Sequence, residues 1–242
     1  MASVEKFTLS AVRNQLRHNL REIAESSNKD IDRTLSHLNY SLAPDRGGLS
    51  DLEYFRLRKS ELHCMKRADV KVMAGWVVTV PQEFDTPEQQ RAFFQAAYDF
   101  LEGRYGQKNV IQAVVHLDEG KREKALDRWG NPLLREDGSE ATRLVYGRPH
   151  MHFCFIPAIK SDEPQLEKIC AKKVLDRREL QRFHGDFQAY LDDHGIECKV
   201  VTGAVRAYGR NRTVAELKRE YEVNKELERL RQTERRQERG RW

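Results

Sequence analysis

The spacing of hydrophobic residues changes near residue 70. Upstream, residues 1–68 are polar with weak periodicity, broken by a Pro44-Asp45-Arg46-Gly47-Gly48 turn, and helices and loops are expected there. Val72 to Val80 is rich in valine and closed by Pro81, which predicts a strand. A helix follows. Thr86 suits its N-cap, Pro87 its first turn and Gln89 the far end of a capping box. Ala92, Phe93, Ala96, Ala97, Phe100 and Leu101 give it one apolar face, and Gly103 or Gly106 can end it. Val110–Leu117 and His150–Ile156 read as strands, Asp176–Asp193 as a helix with Leu180, Phe183, Phe187 and Leu191 inward, and Ile196–Val201 as a last strand after the stop at Gly195.

From 72 to 201 the order is β-α-β-β-α-β. That is the split βαβ, ferredoxin-like arrangement of the α+β class, in which the second and third strands are antiparallel neighbours. The charged stretch 120–147 lies between those two strands, with turn signals at Trp129-Gly130-Asn131-Pro132 and Glu136-Asp137-Gly138-Ser139. It reads as an excursion at a strand connection, with a β-hairpin of its own, where insertion costs little. After residue 203 comes a basic loop. A second capping box, Thr213 to Glu216, then opens a long charged helix over 214–239 with sparse apolar positions. The expected organisation is a domain over 1–203 with an insertion at 120–147, then a basic loop and helical extension over 204–242.

Two of these strands carry histidines. His150 and His152 are two apart and share a face, with Met151 on the other. If their strand pairs with 110–117, His116 joins them. Three neutral imidazoles on a rigid sheet suit a borderline divalent transition metal with a coordination position left open. Asp118 alternates with Leu117, so it is expected on the face of His116, holding a ligand ring.

Composition narrows the setting. The net charge of +5 is compatible with a polyanionic partner but weak evidence for one. Cys64, Cys154, Cys170 and Cys198 show no regular spacing and read as reduced thiols. With no signal core and no apolar run long enough to span a bilayer, a cytoplasmic protein is expected.

Three groups of motifs then carry a resemblance. The first is Arg17-His18-Asn19-Leu20-Arg21 with Ser27-Asn28-Lys29-Asp30-Ile31 and Ser36-His37-Leu38-Asn39-Tyr40. The second is His116-Leu117-Asp118-Glu119 with Pro149-His150-Met151-His152. The third runs from Asp176-Arg177-Arg178-Glu179-Leu180 through Asp193-His194-Gly195 to Thr213-Val214-Ala215-Glu216-Leu217-Lys218. In this order they resemble the Mob/Pre (MobV class) plasmid mobilisation relaxases, endonucleases of the HUH type. One departure stands out: the family's Asp-Glu and Pro-His-x-His are usually a few residues apart, whereas residues 120–147 intervene here.

The resemblance implies a relaxase, which cuts one DNA strand at a transfer origin, stays attached to the 5′ phosphate and later rejoins the strand. It makes His18 the nucleophile, forming a phosphohistidine, with Tyr40 the competing candidate. Arg21, three residues on, would share a helical face with His18 and grip the scissile phosphate. Glu119 would take a proton from His18 or orient it, or alternatively touch the metal or serve as a turn residue. His116, His150 and His152 would bind Mn²⁺ or Mg²⁺, with imidazoles favouring Mn²⁺. Arg67, Lys71, Arg206, Arg210 and Arg212 are candidate DNA-backbone contacts. Asn28 and Asn39 are expected to support the site through turn hydrogen bonds. The implied partners are single-stranded origin DNA, a second copy through the C-terminal helix, and a conjugation coupling protein. A rolling-circle replication initiator using Tyr190, a non-catalytic DNA-binding repressor and a zinc hydrolase of small substrates remain as alternatives.

Overall fold

The computed structural model describes residues 2–23, 30–128, 130–161 and 166–201, together with Arg219 and Val223. The chain divides into two units, Met1–Val201 and Thr202–Trp242. Of the second, the two described residues are helical. The basic loop, its capping box and most of the expected C-terminal helix lie outside the described residues. Among the described residues, no helix is long and apolar enough to cross a membrane.

The polar N-terminal third holds more structure than its pattern suggests. It contains β1 (Ala2–Thr8), α1 (Leu9–Asn19), a 3-10 turn over Arg33–Leu38, β2 (Tyr40–Ser41) and α2 (Asp51–Ser60). Ser50 and Glu53 close a capping box on α2. Next come β3 (Lys71–Thr79) and α3 (Pro87–Tyr105). Thr86, Pro87 and Gln89 start α3 as expected, and Gly106, at φ 87°, ends it. The chain continues through β4 (Val110–His116), β5 (Gly120–Lys124), β6 (Thr142–Tyr146), β7 (His150–Phe155), β8 (Ala158–Lys160), β9 (Glu167–Ile169), α4 (Ala171–Val174) and α5 (Arg177–Asp193).

The main sheet is antiparallel, in the order β1-β3-β7-β4-β2. The neighbouring placement of β4 and β7 is as expected. The edge beside β3 is not. Ala2–Thr8 occupies it, and Ile196–Val201 is no strand. Gln188 caps that stretch instead, donating to the Cys198 carbonyl and accepting from the Val200 amide, which seats Cys198 and Val200 in the core. Backbone satisfied by a side chain leaves the ladder to β1.

Helices cover both faces. Residues of α3 and α5 pack on Ala74, Trp76, Val78, Ala113, Val115, Met151, Phe153 and Phe155. Residues of α1 and α2 pack on Met73, Ile111 and Cys154. In α5, Glu179, Phe183, Phe187 and Leu191 recur every four residues on the buried side, whereas Leu180 is exposed. Glu179 takes the inward place expected for Leu180 because Arg104 grips its carboxylate with two bonds, at 2.6 and 2.9 Å. The excursion forms the β5–β6 ribbon, and the pairing of β4 with β7 runs on above it from Gln112↔Cys154 to His116↔His150.

Candidate metal centre

Strand alternation decides which layer receives the histidines. Met151, Phe153 and Phe155 face α3 and α5, so His150, His152 and Cys154 face α1. His116 lies directly opposite His150. The ring centroids stand 5.3 Å (His116–His150), 4.7 Å (His116–His152) and 5.1 Å (His150–His152) apart. One nitrogen or another from each ring lies within 4.8 Å of those of the other two.

The protonation pattern fits a cation. His116 Nε2 donates to the Asn19 carbonyl oxygen at 2.7 Å, while Nδ1 is buried with no hydrogen-bond partner. That orphaned lone pair is what a metal would satisfy. Burial pushes His116 down to about 4, helped by the charges of Arg21 and His150. Burial likewise lowers His152 well below the usual histidine range, again with help from His150. These rings are therefore neutral near pH 7, the form that ligates. Three imidazoles suit Mn²⁺ or a later divalent ion better than Mg²⁺.

His18 sits half-buried in the last turn of α1, on this same face. Burial lowers its pKa, and Arg21 adds to the effect against the opposing charges of Glu119 and Asp118. Arg21 does not share a helical face with His18. The helix ends at Asn19, and Arg21 follows in the left-handed region at φ 61°. That turn sends its guanidinium onto Asp118, at 2.9 and 2.7 Å, and onto Glu119, at 2.7 Å. Only 5% of the Arg21 side chain is exposed.

Asp118 does not hold a ligand ring. The strand ends at His116, and Asp118 bonds Arg21 and Ser36 (2.6 Å) instead of a ligand ring. Burial opposes its ionisation, yet Arg21 and Ser36 hold its carboxyl well below the usual range. Glu119 Oε1 stands 3.8 Å from His116 Nδ1 and 3.7 Å from His150 Nε2, at the rim of the cluster. Burial opposes its charge too, and His150 and Arg21 outweigh it.

The model of the Mob/Pre family, described as plasmid recombination enzyme, matches residues 1–219. This chain belongs to the Mob/Pre family.

Among curated Mob/Pre relatives, the plasmid recombination enzyme of Streptococcus agalactiae is 28% identical, over 94% of this chain and 41% of its own length. That of Lactiplantibacillus plantarum is 28% identical, over 87% of this chain and 50% of its own. The chain thus spans half or less of these two relatives. The Mn-bound MobM relaxase domain in complex with pMV158 oriT DNA has the same α+β fold. It aligns with a TM-score of 0.66 and 27% identity, covering 90% of this chain and 97% of that one. A second Mn-bound oriT complex gives 0.64 and 27%, covering 90% and 98%.

Other expected residues fall elsewhere. Tyr40 pairs with Val115, which faces α3 and α5, and its ring lies 4.5 Å under the Arg91 guanidinium. It therefore points away from the imidazoles. Lys71 opens β3, whereas Val77 and Thr79 are the residues opposite His152 and His150. Six to eight strand residues, about 20–26 Å, separate Lys71 from that end. Arg67 precedes it and is exposed and paired with Asp69. The fold thus does not bring Arg67 or Lys71 to the centre. Arg206, Arg210, Arg212 and Asn28 lie outside the described residues. Asn39 does support the site, its Oδ1 accepting from the Leu117 amide at 2.8 Å. Sequence reasoning gave no role to Ser36, Gln112 or Asp51, nor to the Asn19 carbonyl. Gln112 was the visible signal: a lone amide in the apolar run Val110–Val115, on the face of His116.

Proposed function

We propose that this chain is a relaxase that nicks one strand of plasmid DNA at a transfer origin and later rejoins it. One observation carries the reading: His18 lies on the sheet face of the three imidazoles, while Tyr40 lies on the other. Mn²⁺ held by His116, His150 and His152 would polarise the scissile phosphate and offset its developing charge. The neutral ring of His18 attacks phosphorus. A P–N bond forms, the P–O3′ bond breaks, and the leaving 3′ oxygen takes up a proton. That proton is the remaining N–H proton of the His18 ring, which Glu119 accepts and hands on to the 3′ oxygen. The product is a 5′-phosphohistidine that the free 3′ hydroxyl can reverse. Arg21 holds Glu119 and Asp118, and so serves the site by fixing that carboxylate beside the ligands.

The substrate is origin DNA, single-stranded at the nick; the similar MobM domain is bound to oriT DNA. The chemistry is of the HUH type and takes place in the cytoplasm. A second copy of the chain and a coupling protein are the further partners proposed. A replication initiator using Tyr190 is disfavoured, because that ring sits on α5, across the sheet, stacked on His194 at 4.0 Å.

The test is incubation with supercoiled plasmid carrying a candidate origin and Mn²⁺, followed by recovery of protein attached to the nicked 5′ end. His18→Ala should abolish the adduct and Tyr40→Phe should spare it. The reverse pattern would move the nucleophile to Tyr40.

A further inference from the structure

We infer that Asn19, Gln112 and Asp51 form a positioning chain that sets the metal ligand His116 against the nucleophile His18. This rests on reading the three imidazoles as a metal centre. Asn19 follows His18 directly and is the last residue of α1. Its carbonyl is among those a helix end leaves without an intrahelical partner, and it receives His116 Nε2. One peptide unit thus joins the nucleophile's helix to a ligand ring.

The Asn19 side chain holds that unit in place. It is wholly buried. Its Nδ2 donates to Gln112 Oε1 at 2.7 Å and to Cys154 Sγ at 3.5 Å, and its Oδ1 accepts from Gln15 Nε2 at 3.0 Å. Gln112, also buried, donates from Nε2 to Asp51 Oδ2 at 2.6 Å and to the Leu16 carbonyl at 3.3 Å.

The direction of the chain follows from its outer end. An ionised carboxylate only accepts, so Gln112 must turn its NH₂ to Asp51 and its oxygen to Asn19. Asn19 must then turn its NH₂ to Gln112. Asp51 is the first residue of α2, where the helix dipole favours a negative charge. Gln112 and His116 lie on the same face of β4, two alternations apart. Two buried amides in a layer otherwise filled by Val12, Leu16, Phe55 and Met73 are costly unless fully bonded. Here they are bonded, and what they fix is the Nε2–H tautomer of His116, with Nδ1 turned to the cluster.

Gln112→Met keeps the volume and removes the relay. Asp51→Asn, at a half-buried site, keeps the shape and removes the carboxylate's share of the direction, leaving the Leu16 carbonyl alone to hold the Gln112 NH₂. The readouts are the ¹⁵N signals of His116 in the metal-free protein and Mn²⁺ affinity by calorimetry. The wild type should show the Nε2–H tautomer. Gln112→Met should show a mixture and a Mn²⁺ affinity reduced roughly 10- to 100-fold, as for partners that orient ligands. Asp51→Asn should give a smaller shift in the same sense. A pure Nε2–H tautomer and unchanged Mn²⁺ affinity in either folded variant would overturn the inference. If instead the wild type binds Mn²⁺ no better than His152→Ala does, the metal reading fails, and the ¹⁵N spectra still decide the tautomer.

Discussion

Arg21 and Asp118 form a two-bond ion pair at the mouth of the centre, with the arginine in a left-handed turn and the carboxylate wholly buried. The pair joins the end of α1 to the end of β4, the two segments that carry His18 and His116. Removing Asp118 leaves the buried guanidinium with Glu119 as its remaining carboxylate, so the cost lies at the lower end of the about 3–5 kcal/mol of a broken buried pair. Asp118→Ala should therefore lower unfolding stability by about 3 kcal/mol, measured by denaturant titration. Arg21→Lys should recover only part of the wild-type value, because an ammonium cannot reproduce the planar fork.

The three imidazoles should act as a set. Replacing His152 or His116 by Ala leaves two nitrogens, and Mn²⁺ binding measured by electron paramagnetic resonance should fall by more than 10-fold, on the order expected for lost ligation. His63 and His194 are exposed and away from the cluster. Their Ala variants should bind Mn²⁺ as the wild type does. Equal losses from all four variants would mean the three rings do not form the site.

The β5–β6 ribbon is anchored at its base, where the Gly147 amide donates to the Glu119 carbonyl at 2.8 Å and Tyr146 Oη donates to Asp32 at 3.1 Å. Farther out, Leu126, Leu133 and Leu134 are exposed. Joining Lys124 to Thr142 through Asn-Gly should close a tight hairpin in the existing register. Melting temperature and Mn²⁺ affinity should stay close to wild type. A large drop in either would show that the outer ribbon supports the sheet.

Acid should weaken the fold partly through Glu179. Burial opposes its charge, but Arg104 holds its pKa below the usual carboxylate range. A depressed folded value means the unfolded chain binds the proton first. The stabilisation is complete above the unfolded value, about 4.3, and is lost as pH falls through the lower folded value. Between neutral pH and pH 5, Glu179→Gln should melt below the wild type by a constant margin. Below about pH 4 the two melting curves should converge.

Local patterns determined much of this protein. The capping residues of α3, the apolar, valine-rich runs of β3 and β4, and the shared face of His150 and His152 follow from dihedral preference and side-chain alternation, which neighbouring residues set by themselves. The excursion could be read as a ribbon because turn chemistry is local too. Tertiary structure decided the rest. The choice of Ala2–Thr8 over Ile196–Val201 for the edge of β3 depended on Gln188, which satisfies the competing backbone from another element. The turn at Arg21 and the pairing of Glu179 with Arg104 depended on charges 97 and 75 residues away in the chain. The side of the sheet given to His18 and denied to Tyr40 depended on which helices cover which face. Long-range pairing of buried polar groups leaves no period in a sequence, so only the folded chain could show which groups would meet.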